Sequence, residues 1–140
     1  MADVVFSTKA TANGGREGHV KSDNGVIDVK LQMPKGNDIP QDASNPEQLF
    51  AAGYSSCYDG ALNLMASKSK KDISSTTTAE VSLIKDESDG GFKIGVVLHV
   101  DVKGVSQEEA EELAHKAHEF CPYSKATRGN IDLELKVTGE

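Results

Sequence analysis

The 140 residues fit one domain, and the formal net charge of −7 leaves no basic face for nucleic acid. No apolar run approaches the ~20 residues of a membrane span, and the opening MADVVFSTKA lacks the basic and apolar regions of a secretory signal. The expected compartment is therefore the cytoplasm, where thiols stay reduced. Aromatics make up only 5% and Trp is absent, so the core is thin for a monomer and a shared dimer core would help.

Residues 3–12 (DVVFSTKATA) alternate like a strand. Residues 18–33 carry Asn24-Gly25 between two strand-like runs, GHVKSD and VIDVKLQM. That dipeptide favours a type I′ hairpin, because both turn residues need positive φ. Residues 34–45 read as a loop, broken by Pro34, Gly36 and Pro40.

A first helix is expected from Pro46 to about Lys68. Asn45 can cap it, Pro46 suits the first helical position, and Gln48 completes an N-x-x-Q capping arrangement. Its apolar residues, including Leu49, Phe50, Tyr54, Leu62, Leu64 and Met65, point in nearly every direction. A helix apolar all round is buried all round, so a partner chain is expected to cover part of it. Gly53 and Gly60 each cost about 1 kcal/mol against Ala there, and are tolerable where another backbone comes close.

Residues 73–86 and 92–103 are β-branched and alternating, and the turn DESDGG joins them as a second hairpin. Ser106-Gln107-Glu108-Glu109 is an S-x-x-E capping box. It opens a second helix with the stripe Ala110, Leu113, Ala114, Ala117 and Phe120. Pro122 should end that helix and leave Cys121 in its last turn. Residues 131–137 (IDLELKV) close the chain as a strand. The order is β-β-β-α-β-β-α-β, an α+β fold class.

The chain has two cysteines, 64 residues apart. Cys57 lies in the Ala-rich helical run AAGYSSCYDGALNLMA, and Cys121 follows HKAHEF. No CxxC pair or local metal knuckle is available. In a cytosolic chain the pair suggests redox or nucleophilic chemistry. The bland alternative is two small buried hydrophobes. His115, His118 and Cys121 follow at three-residue spacing and, with Cys57, have the composition of a Cys₂His₂ zinc set. Helical drift spreads them, however, and no established zinc spacing is present, so zinc is the weaker reading. His19 and His99 fall on strand patterns and suit surface or packing roles.

The runs NPEQLFAAGYSSC (45–57) and CPYSKATRGNIDLELKV (121–137) closely resemble the OsmC/Ohr superfamily, specifically its organic hydroperoxide resistance (Ohr) branch. STKATANGGREGHV…NGVIDVKL near the N-terminus is similar too, so the resemblance covers nearly the whole chain, read as a single domain, 1–140. It implies an OsmC-like fold in an intertwined homodimer with a buried central helix and active sites at the subunit interface. It also implies a thiol peroxidase that reduces organic or lipid hydroperoxides to alcohols with no cofactor or metal. A dihydrolipoyl group, free or on a lipoylated protein, is the implied reductant. By motif, Cys57 resembles the peroxidatic cysteine and Cys121 the resolving one. Arg16 in GGREG resembles the active-site arginine, and Glu47 in NPEQ the glutamate that pairs with it. After Cys57, Tyr58 and Asp59 stand in a variable segment.

The physical chemistry suits those roles. The reactive species of a cysteine is its thiolate, and a guanidinium beside Cys57 would favour that form. Glu47 can aim the guanidinium through a bidentate pair. Taken alone, Arg16 is equally a loop arginine, and Glu47 equally suits the helix dipole. Glu47 and Cys57 are ten residues apart, roughly 15 Å along a continuous helix. Either the helix breaks, or the Arg–Glu pair serving Cys57 comes from a partner subunit, and the second option also explains the apolar helix. The other readings are an OsmC-branch peroxidase, a non-enzymatic zinc-binding protein and an inert scaffold with buried thiols.

Overall fold

The computed structural model describes residues 2–140 and divides into two compact units, Met1–Leu49 and Phe50–Glu140. The N-terminal unit is an antiparallel sheet of β1 (Ala10–Asn13), β2 (His19–Ser22) and β3 (Asp28–Lys30), in that order. A short 3₁₀ turn, Gly15–Glu17, joins β1 to β2, and an isolated parallel bridge pairs Leu31 with Ser44.

Two expectations fail in this unit. Residues 3–12 form a strand only from Ala10, because β2 offers a four-residue partner and the ladder ends with it. Phe6 is left 80% exposed. Asn24-Gly25 is not a type I′ turn: Gly25 has φ 76°, but Asn24 is not among the residues of positive φ. The Asn24 side chain decides this. Its Oδ1 accepts from the Val26 N–H (3.0 Å) and from Ser22 Oγ (2.8 Å), an Asx turn that holds a longer loop.

Helix α1 runs unbroken over Pro46–Lys68. Asn45 Oδ1 caps it by accepting from the Gln48 N–H at 2.7 Å. Gln48 does not complete the box, since its Oε1 accepts from Ser44 Oγ instead.

The larger unit holds a second sheet, ordered β4 (Ser74–Asp86), β5 (Gly91–Lys103), β6 (Asp132–Gly139). β4 and β5 form the expected antiparallel hairpin. β6 lies parallel to β5, which requires a crossover. Helices α2 (Gln107–Phe120) and α3 (Pro122–Thr127) supply it. Along β5, Val96, Leu98, Val100 and Val102 all face the core, as the period of two demands. They pack with Tyr54, Tyr58 and Leu62 of α1 and with Leu113 and Ala117 of α2.

The mixed α+β class and the element order are as expected, with α3 and the 3₁₀ turn added. The α2 capping box forms in full: Ser106 Oγ accepts from the Glu109 N–H, and Glu109 Oε1 accepts from the Ser106 N–H, both at 3.1 Å. Cys121 is not in the last turn of α2. The helix ends at Phe120, Cys121 is extended (φ −62°, ψ 127°), and Pro122 opens α3 as its first residue. The chain buries one stripe of α1, comprising Tyr54, Tyr58, Ala61, Leu62 and Ala66, while Leu64 stays 41% exposed.

Candidate active site

Helix α1 and the α2–α3 corner bring the two cysteines together. Cys57 Sγ and Cys121 Sγ stand 3.5 Å apart, both as free thiols. Cys121 has no exposed surface, whereas Cys57 is half-buried. Burial is the main cause that pushes the Cys57 pKa up, the neighbouring Cys121 adds to it, and the Tyr123 backbone amide works in the opposite direction.

An aromatic cluster joins α1 to α3. Phe50, Tyr54 and Tyr123 lie mutually 5.6–5.9 Å apart by ring centroids. Gly53 leaves room for one of them, since a Cβ at that position would sit 2.5 Å from the Tyr123 hydroxyl and the partly exposed ring would have to shift. The close neighbour of Gly53 is thus a side chain rather than the backbone expected. Gly60 has nothing within 4 Å.

In the N-terminal unit, Arg16 and Glu47 pair as the resemblance implied, and the pair is bidentate, with Nη1–Oε1 at 2.7 Å and Nη2–Oε2 at 2.9 Å. Arg16 sits in the 3₁₀ turn, reached through Gly14 (φ 78°) and Gly15 (φ 60°), conformations that favour glycine. The hydrogen bond to Arg16 holds Glu47 below the usual carboxylate range and raises Arg16 in turn.

The zinc set does not assemble: among the described residues no group of three or more His, Cys, Asp or Glu side chains could hold a metal ion. His118 Nδ1 instead meets Ser124 Oγ at 2.9 Å. His19 and His99 pair with Asp28 and Glu80 respectively. No helix among the described residues is long and apolar enough to cross a membrane.

A family model for OsmC-like proteins matches residues 36–136. Organic hydroperoxide resistance protein OhrB of Bacillus subtilis is 54% identical over 96% of this chain and 98% of its own. The crystal structure of that protein superposes with a TM-score of 0.91 over 96% of this chain and 100% of its own, at 53% identity. The chain belongs to the Ohr branch of the OsmC-like family. A crystal structure of an organic hydroperoxide resistance protein from Elizabethkingia anophelis, with thiocyanate bound, gives the same TM-score of 0.91 at 48% identity, covering 99% of this chain and 100% of that one.

Within this Ohr-branch chain, sequence reasoning gave no site role to Tyr123, Ser124 or Thr127, counted Tyr54 only among the apolar residues of α1, and read His118 as a candidate zinc ligand. Tyr54, His118 and Ser124 lie three residues from one or other cysteine, and Tyr123 and Thr127 lie two and six residues after Cys121.

Proposed function

We propose that this chain is a cysteine-based peroxidase that reduces organic hydroperoxides to alcohols. The observation that carries the reading is the thiol pair: two sulfurs 3.5 Å apart, one reachable and one buried, in a chain whose relatives are named organic hydroperoxide resistance proteins.

The Cys57 thiolate attacks the distal peroxide oxygen. The O–O bond breaks, the alkoxide takes a proton and leaves as the alcohol, and Cys57 becomes a sulfenic acid. The Cys121 thiol condenses with it, expelling water and forming an intrachain Cys57–Cys121 disulfide. A dithiol attacks the disulfide, passes through a mixed disulfide and restores both thiols. We assign the dithiol to a dihydrolipoyl group, free or on a lipoylated protein. The aromatic cluster of Phe50, Tyr54 and Tyr123, on the segments that carry the two cysteines, favours alkyl or lipid hydroperoxides over hydrogen peroxide. The setting is the cytoplasm, with no nucleic-acid or membrane partner.

The cycle needs a cation beside Cys57, because burial there opposes the thiolate. Arg16, aimed by Glu47, is that cation. Helix α1 does not break between Glu47 and Cys57, so the two are separated by roughly 15 Å along its axis. The pair serving each Cys57 is therefore assigned to the other subunit of a homodimer, and each active site is composite.

The test is hydroperoxide consumption supported by dihydrolipoamide, glutathione or thioredoxin. Turnover of tert-butyl or fatty-acid hydroperoxide with dihydrolipoamide, and little with the other two, is expected. Failure of every thiol to support consumption would overturn the proposal.

A further inference from the structure

Beside the thiols runs a buried chain of hydroxyls to which the peroxidase cycle assigns no role. The Tyr54 hydroxyl lies 2.8 Å from Ser124 Oγ and 3.0 Å from Thr127 Oγ1. Ser124 Oγ also meets His118 Nδ1 at 2.9 Å. Tyr54 and Ser124 have no exposed surface and Thr127 almost none.

The spacing of these residues matters more than their burial. Cys121 lies at the corner between α2 and α3, and His118 and Ser124 stand three residues to either side of it. Their hydrogen bond closes the corner around the cysteine. Tyr54 lies three residues before Cys57 on α1, on the same side of that helix. Its hydroxyl therefore ties the α1 turn that carries Cys57 to the corner that carries Cys121. Both sulfurs are referenced to one another through three side chains. Closing their 3.5 Å separation to a bond of about 2.05 Å is a shift of the size over which a misplacement of ~1 Å can cost ~100-fold in rate.

We infer that Tyr54, Ser124 and His118 are positioning residues for the resolving step, holding Cys121 where it can capture the Cys57 sulfenic acid. The inference rests on the peroxidase reading above. It assigns no new chemistry: the reaction remains the loss of water between the Cys57 sulfenic acid and the Cys121 thiol, and the three side chains only set the approach.

A control lies on the same helix. Tyr58 is as buried as Tyr54, but its hydroxyl donates to the Ala114 carbonyl of α2 at 2.6 Å, outside the corner. Tyr54→Phe keeps the ring and leaves no buried partner stranded, since Ser124 retains His118 and Thr127 Oγ1 can turn to the Ser124 carbonyl. Tyr58→Phe removes a comparable hydrogen bond elsewhere.

Quenched-flow samples taken after one equivalent of cumene hydroperoxide separate the steps: dimedone traps the sulfenic acid, and mass spectrometry counts the Cys57–Cys121 disulfide. In Tyr54→Phe, sulfenic acid formation should stay within about two-fold of wild type. Disulfide formation should slow about ten-fold, with Cys57 sulfinic acid appearing at lower peroxide. Tyr58→Phe should leave both rates within about two-fold. Should Tyr54→Phe misfold, Ser124→Ala and His118→Leu should slow resolution in the same way. His118→Asn, whose amide reaches the Nδ1 position, should restore it. Resolution at the wild-type rate in folded Tyr54→Phe, or equal slowing in Tyr58→Phe, overturns the inference while the peroxidase reading stands. A wild-type protein that forms no Cys57–Cys121 disulfide overturns both.

Discussion

Cys57 and Cys121 differ by environment rather than by type, and the proposed division of labour rests on that difference. Cys57→Ser should abolish peroxide reduction, because a hydroxyl offers no thiolate-like nucleophile near neutral pH. Cys121→Ser should react once and then stall as a sulfenic acid or over-oxidise, which dimedone labelling and mass spectrometry will show. Arg16→Ala should slow peroxide attack at neutral pH. The sign follows from burial: the Cys57 thiol is already pushed up, and losing a cation pushes it further, so the rate–pH profile moves to higher pH. High pH should rescue part of the loss, since the thiol then ionises unaided. Glu47→Ala should act in the same direction more weakly, because it frees the guanidinium without removing it. At this scale long motifs in the sequence marked four candidate side chains, and the structure pairs Arg16 with Glu47 and Cys57 with Cys121. The sequence hid the network that joins Tyr54 to Ser124 and His118, because buried hydroxyls have no periodicity and the partners of Tyr54 lie 70 and 73 residues away.

Elements were readable wherever the signal is local. The strand alternation of β5, the Asn45 cap and the Ser106–Glu109 box all act within a few residues, and each formed. The readings that failed depended on what lies opposite. Residues 3–9 alternate but have no ladder partner, and Asn24 satisfied its backbone through its own side chain instead of adopting positive φ. The short α3 was missed because Pro122 reads equally as the end of one helix and the start of the next. Ser106→Ala should cost about 1 kcal/mol of stability by removing the N-cap acceptor. Lowering of the urea midpoint with an unchanged slope would verify it. Glu109, held down to about 2 by Lys71 and by the Ser106 cap, keeps its charge through ordinary acid conditions, so the loss in Ser106→Ala should be similar at pH 5 and pH 7.

At the scale of the molecule, α1 leaves apolar side chains such as Leu64 outside the stripe its own chain buries. A homodimer would cover them and would deliver Arg16 to the partner's Cys57. Sedimentation at micromolar concentration should therefore show a dimer, and a stable folded monomer would count heavily against composite sites. Subunit mixing is sharper. Inactive Cys57→Ser chains combined with weakened Arg16→Ala chains should recover about a quarter to a half of wild-type activity, since each heterodimer then carries one intact site. No recovery, with heterodimers confirmed by mass spectrometry, would place Arg16 with the Cys57 of its own chain. The expectation of a dimer came from the apolar reading of α1, the Glu47–Cys57 spacing and the family resemblance, while composition added only the hint of a thin core. The central claim is the thiol cycle, and it is tested most directly by adding one equivalent of an organic hydroperoxide to the fully reduced protein and then counting thiols and mapping peptides. The account expects both cysteine thiols to be lost together, an intrachain Cys57–Cys121 disulfide to appear and the peroxide to be recovered as its alcohol. Intact thiols beside unconsumed hydroperoxide would contradict it.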